Sequence, residues 1–187
     1  KNRYRVASKL GEGGMGTVYL VHDMVENDRP LALKLLKGSR EHLMQFKHEF
    51  KLLSNLDHPS VLKVFDFGLL KTEDAFFYTC ELIEGLDLFD ATRILNFTEL
   101  TELAKQILRA LSYIHDRGLI HYDIKPGNII VDHPREKSSN GEACRRIKIM
   151  DFGLSSEERR EAGGLVKGTI HYLAPELVRE QPCDRRV

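Results

Sequence analysis

Two charged residues occupy positions where the hydrophobic pattern calls for burial, and they restrict the possible folds more than any other feature. The stretch "PLALKLL" reads as a strand, and strand alternation gives Lys34 the same face as Ala32 and Leu36. The stretch "SREHLMQFKHEFKLLSNL" reads as a helix with Ser39 as its N-cap, and Leu43, Phe46, Phe50 and Leu53 form its apolar stripe. Glu49 falls inside that stripe. A buried charge without a partner is costly. Either Lys34 and Glu49 meet, which fixes this helix against this strand, or Lys34 snorkels to the sheet edge and Glu49 stands at the border of the stripe.

The chain divides into a strand-rich first part and a second part with a long helix. "YRVASKLG" and "TVYLV" alternate as strands around a Gly-rich turn, and "SVLKVFDFG" and "AFFYTCELIEG" regain strand character after the first helix. From near Thr98, Leu100, Leu103, Ala104, Ile107, Leu108, Leu111 and Ile114 fit one face of a long helix that Gly118 stops. Two short strands follow, "NIIVD" and "RIKIMD", separated by the polar loop "HPREKSSNGEACR", which reads as a mobile surface insertion.

Between the first two strands, "GEGGMG" supplies Gly11, Gly13, Gly14 and Gly16. Glycines let a backbone approach a ligand and aim its amides at phosphate oxygens; a plain Gly-rich hairpin is the alternative. Because "TVYLV" is a strand, the unit is a strand–turn–strand flap and not the strand–turn–helix of a dinucleotide site. Further on, "GLIHYDIKPGNIIV" and "IMDFGLSS" place Asp123, Lys125, Asn128 and Asp151 beside short apolar strands. Carboxylate and amide oxygens suit Mg2+, and a Lys can neutralise a transferring phosphoryl group. Taken singly, Asp123 and Asn128 also serve as turn formers, and His121 as a satisfied core histidine.

The order of Gly-rich flap, strand Lys, helix Glu, "HYDIKPGN", "DFG" and "APE" resembles the protein kinase domain, in particular the bacterial eukaryotic-like (Hanks-type) Ser/Thr kinases. "KPGN" and "GTIHYLAPE" are similar to the Ser/Thr branch. The resemblance implies an α+β, bilobal protein kinase-like fold. Its N-lobe, a small antiparallel sheet with one helix, would span residues 1–85. Its mainly helical C-lobe would span residues 86–187 and be incomplete here. The resemblance also implies ATP and Mg2+ as cofactors, with Mn2+ as an alternative ion, and a protein Ser/Thr hydroxyl as acceptor.

By the same resemblance, Lys34 would hold the nucleotide α/β-phosphates and pair with Glu49. Asp123 would accept the substrate hydroxyl proton, Lys125 would steady the γ-phosphate, and Asn128 and Asp151 would hold the metal. Leu10, Gly11, Gly13, Gly14 and Gly16 would form the nucleotide flap, and Val18, Ala32 and Ile130 would sandwich adenine. Cys80 looks like the gatekeeper, Glu81 to Ile83 like the hinge, and Asp87 like the ribose contact. Leu53, Val64, His121 and Phe152 match the stacked hydrophobic spine.

Three departures stand out. Tyr122 replaces the Arg that the family has before the catalytic Asp, and Ile170 and His171 follow Gly168 and Thr169 where the family commonly has a Pro. The chain also stops at "CDRRV", where the resemblance places the next large helix. Between Glu157 and Gly168, "EERREAGGLVKG" holds no Ser, Thr or Tyr. Together with Tyr122, this predicts a kinase that does not depend on activation-loop phosphorylation.

A pseudokinase or nucleotide-binding scaffold is the alternative function. It is disfavoured because Lys34, Glu49, Asp123, Asn128 and Asp151 are all present. A small-molecule phosphotransferase of related fold would usually lack "APE". Charge is balanced, 28 Lys plus Arg against 28 Asp plus Glu, so no basic field argues for nucleic acid. No apolar run reaches the ~20 residues of a membrane span. Cys80, Cys144 and Cys183 lack metal-ligand spacing and suit a reducing, cytoplasmic setting. The chain reads as the kinase module of a longer signalling protein, with further domains of the same polypeptide as partners and any membrane anchor outside this segment.

Overall fold

The alternating pattern of the first part folds into one five-stranded antiparallel sheet. Its strands are β1 (Tyr4–Gly13), β2 (Gly16–Asp23), β3 (Arg29–Leu36), β4 (Val64–Leu70) and β5 (Ala75–Glu81), in the order β1-β2-β3-β5-β4. The computed structural model describes residues 3–13, 16–36, 40–70, 75–132, 136–137, 143–152, 156–157, 170–172 and 174–179. The chain separates into two units, Lys1–Asp57 with Leu62–Ile83 and His58–Val61 with Glu84–Val187.

In the first unit the register sorts side chains to two faces. Val18 lies opposite Lys34, Ala32 opposite Cys80, and Lys34 opposite Tyr78, so these share one face. Val21, Leu31, Leu33 and Leu35 take the other face and form a buried cluster with Ala75, flanked by Tyr4, Tyr19 and Phe77. Asn27 and Asp28, at φ 53° and 55°, turn β2 into β3, a left-handed conformation that short polar side chains tolerate. The two edge strands meet at one corner. The Tyr4 hydroxyl in β1 donates to Asp66 in β4 at 2.8 Å, and the Arg3 guanidinium spans Asp66 at 3.2 Å and Asp23 at 2.7 Å. The sheet is therefore curled. Arg3 holds the buried Asp23 carboxyl below the usual carboxylate range, and burial pushes the Tyr4 phenol up to about 12.

One helix, α1 (Arg40–Ser54), joins β3 to β4 and seats its apolar stripe on the sheet. Phe46 and Phe50 lie 4.9 Å and 6.0 Å from the Tyr78 ring, and Phe50 lies 5.2 Å from Phe67. Ser39, the expected cap, lies outside the described residues. The strand expected over "SVLKVFDFG" begins only at Val64. Ser60 and Val61 belong to the second unit, where the Ile149 amide donates to Ser60 O at 2.9 Å and Val61 bridges Ile149.

The second unit is built around α3 (Phe97–His115). A capping box starts it, with the Asn96 side chain accepting from the Glu99 amide and Glu99 accepting from the Asn96 amide. Leu103, Ala110 and Ile114 are its buried face, whereas Ala104 and Leu108, read from the sequence as part of the stripe, are exposed; Gly118 at φ 69° turns the chain away. Ahead of it come β6 (Gly85–Asp87) and α2 (Leu88–Thr92). After it come β7 (Leu119–Ile120), a 3-10 turn (Pro126–Asn128) and β8 (Ile129–Asp132). The polar insertion carries a two-residue ladder of β9 (Glu136–Lys137) with β10 (Ala143–Cys144). Then follow β11 (Ile147–Ile149), β12 (Ser156–Glu157), a second 3-10 turn (Ile170–Tyr172) and α4 (Pro175–Val178). β11, β8 and β6 form a sheet in that order, and β12 pairs with β7. The Gln106 side chain of α3 accepts from the Ile147 amide at 3.1 Å and donates to Arg145 O at 2.9 Å, pinning the start of β11 to the helix. Among the described residues no helix is long and apolar enough to cross a membrane.

Candidate active site

The first unit joins the two charges that the pattern singled out. Lys34 Nζ, from β3, donates to both carboxylate oxygens of Glu49, from α1, at 2.9 Å and 3.0 Å. Glu49 has no solvent exposure. The Tyr78 hydroxyl, from β5, adds a third bond to Glu49 Oε1 at 2.8 Å. The alternative of an edge Lys and a border Glu is set aside by this geometry. Tyr78 was not legible as a site residue, because in "AFFYTCE" it alternates like any aromatic on a buried face.

The glycines lie between two paired strands and open no helix, as expected: β1 ends at Gly13, which pairs with Gly16 at the start of β2. Its glycines differ in why they are glycine. Gly16 has φ 137°, and a Cβ there would stand 2.1 Å from Leu35 O, so the fold itself requires it. At Gly11 and Gly13 a Cβ would meet nothing within 4 Å, so the chain's own packing does not require glycine there. Gly14 lies outside the described residues. Leu10 is half exposed, and Val18 and Ala32 share the face of Lys34. Cys80 is buried on that face, its thiol pushed up to about 12 by burial. At the end of β5, Glu81 is held twice by Lys63: its amide donates to Lys63 O at 2.9 Å, and its carboxylate accepts from the Lys63 amide at 2.8 Å. Ile83 follows, partly buried.

The second unit gathers the other candidates. The loop between β7 and the 3-10 turn carries Asp123, whose Oδ2 accepts from Lys125 Nζ at 2.7 Å and from Asn128 Nδ2 at 3.0 Å. Asn128 Nδ2 also donates to Asp123 O at 2.8 Å, and Pro126 opens the turn that brings Asn128 back toward Asp123. Asp151 follows β11, at φ 64°. The β8–β11 register sets Ile149 opposite Ile129, and the Met150 amide donates to Asn128 O at 2.9 Å, which ties the two strand ends that carry Asn128 and Asp151.

His121 braces this arrangement. The Asp123 amide donates to its Nδ1 at 3.3 Å, so Nδ1 is unprotonated and Nε2 donates to Met150 O at 3.0 Å. Burial holds the imidazole below its usual pKa, in its neutral form. The Phe152 ring, fully buried, packs edge-on against it at 4.6 Å. Asp87 and Ile130 sit opposite each other in the β6–β8 ladder. Asp87 also caps α2, accepting from the Asp90 amide at 2.9 Å, a duty its sequence context did not reveal. Tyr122 is buried at φ 62°.

Such an arrangement offers a paired Lys for anionic oxygens in one unit, and in the other a carboxylate beside a Lys together with hard oxygen donors on two adjacent strand ends. The protein kinase domain model matches residues 4–187, and the chain belongs to that family. It is 32% identical over 187 residues to serine/threonine-protein kinase PrkC of Bacillus subtilis (strain 168), covering 95% of this chain and 27% of that protein. It is 35% identical over 199 residues to serine/threonine-protein kinase pkn2 of Myxococcus xanthus, covering 98% of this chain and 22% of that protein. Serine/threonine-protein kinase tousled-like 2 of Mus musculus is 34% identical over 197 residues, with 94% of this chain and 26% of the relative covered. The chain thus spans about a quarter of the length of these relatives.

Proposed function

We propose that the chain is the catalytic module of a Ser/Thr protein kinase that transfers the γ-phosphate of ATP to protein hydroxyls with Mg2+. The observation that carries the reading is the Asp123 carboxylate, held at one oxygen by both Lys125 and Asn128. A scaffold that only binds nucleotide has no use for a carboxylate so oriented. Asp123 takes the acceptor hydroxyl proton, and Lys125 and Lys34 neutralise phosphate charge, a task of positioning and electrostatics.

The residues fit the groups they would bind. Asn128 contacts Asp123 through Nδ2, so its metal-binding atom, Oδ1, is not consumed by that bond. With the Asp151 carboxylate it supplies the hard oxygens that Mg2+ prefers. Bound Mg2+ would neutralise charge on the phosphate oxygens. The open space at Gly11 and Gly13 leaves room for phosphates against backbone amides.

The test is γ-phosphate transfer to a generic protein acceptor by the full-length protein, run with and without EDTA, and with Asp123→Asn as the blank. Transfer that needs divalent metal and vanishes in folded Asp123→Asn protein is expected. Transfer that survives Asp123→Asn or EDTA would contradict the reading.

A further inference from the structure

The Lys34–Glu49 pair has a third member whose chemistry differs from theirs. Tyr78, 2% exposed, is the cross-strand neighbour of Lys34, and its hydroxyl and Lys34 Nζ both bond Glu49 Oε1, at 2.8 Å and 2.9 Å. Lys34 Nζ also stands 5.6 Å from the centre of the Tyr78 ring. Three elements, β3, β5 and α1, therefore converge on one buried carboxylate.

The two donors constrain that carboxylate unequally. An ammonium on a flexible four-carbon stem is a point charge that follows its partner. A phenol is rigid, and this ring is set by its strand and by Phe46 and Phe50 of the same helix that carries Glu49. We propose that Tyr78 is a positioning residue of the active site: its hydroxyl fixes the Glu49 carboxylate, and through it sets Lys34 Nζ for the nucleotide phosphates. This rests on the kinase reading above and adds the residue that orders its phosphate clamp. Packing alone asks only for the ring, which Phe would supply equally well.

The experiment compares the full-length wild type with Tyr78→Phe, using Mg-ATP and dephosphorylated casein. Tyr4→Phe is the control, since it removes a hydroxyl–carboxylate bond of the same 2.8 Å length on the other face of the sheet. Tyr78→Phe should lower kcat/KM for ATP roughly tenfold, the worth of one hydrogen bond to a charged group. The KM for casein should not move, and Tyr4→Phe should match wild type in both constants. A wild-type kcat/KM for ATP in Tyr78→Phe overturns the proposal. So does a fall no larger than the unfolded fraction seen in a thermal melt, because that is what a purely structural role gives. A wild type that transfers no phosphate sinks the kinase reading instead, and calorimetric titration with Mg-ADP then decides the positioning role. Roughly tenfold weaker binding by Tyr78→Phe supports it; equal affinity, or no binding by either protein, overturns it.

Discussion

Glu49 carries its charge at zero exposure, and Lys34 and Tyr78 offset the cost of that burial. Removing one partner of a buried pair is worse than removing both. Lys34→Met should therefore lower stability by about 3 kcal/mol, and Lys34→Met/Glu49→Leu should recover most of it, both read from urea melts. Neither variant should transfer phosphate, which separates the structural from the chemical duty of the pair. His121 makes a second residue-scale prediction. Its folded pKa is depressed by burial, whereas the unfolded imidazole takes up its proton near pH 6.5. The neutral ring therefore favours the fold above about pH 6.5, and that contribution is lost as pH falls from there through the lower folded pKa. Protonation at Nδ1 would also cost the Asp123 amide its acceptor. The melting temperature should fall between about pH 7 and pH 5.5 and fall less in His121→Gln, with a remainder from His58, whose pKa burial also lowers. A wild-type melting temperature that rises over that range would contradict the assignment.

Among the elements, the β1–β2 flap separates folding from ligand binding most cleanly. Gly16→Ala forces a Cβ against Leu35 O at a backbone angle side chains rarely adopt, so its melting temperature should drop. Gly13→Ala meets open space and should melt like wild type while raising the KM for ATP. Equal effects of the two substitutions on melting would contradict the distinction. In α3 the cap is the simpler case: Asn96→Ala removes the acceptor for the Glu99 amide and should cost about 1 kcal/mol in a urea melt. The sequence announced this helix to within a residue of its start, because its stripe is long and periodic and Gly118 ends it. It did not announce Gln106 as a clamp on β11, since a polar residue in mid-helix reads as a solvent face.

At the scale of the whole molecule, the legible part was what local pattern controls: the strands of the first sheet with β8 and β11, the two main helices, and the clustering of polar residues around "HYDIKPGN" and "DFG"; the two- and three-residue strands β6, β7, β9, β10 and β12 are too short to carry a period. Long-range closure was not legible. Arg3 and Asp66 lie 63 residues apart and meet because the sheet curls, which no period in either segment encodes. Tyr78 was hidden for a related reason, its hydroxyl having a partner 29 residues away on another element. Regulation is also a property of the whole chain. The segment between Glu157 and Gly168 offers no hydroxyl, most of it lies outside the described residues, and the Tyr122 phenol carries no positive charge with which to receive a phosphate. Phosphatase treatment of the full-length enzyme, followed by removal of the phosphatase, should leave initial rates unchanged. A large fall that preincubation with ATP restores would contradict this.

The most direct measurement of the central claim is phosphoamino-acid analysis of a protein acceptor after incubation with full-length enzyme and γ-labelled ATP. Wild type should yield phosphoserine and phosphothreonine without phosphotyrosine, and Asp123→Asn and Asp151→Asn proteins that fold normally should yield none. Label that appears on tyrosine, or persists undiminished in either variant, would contradict the account.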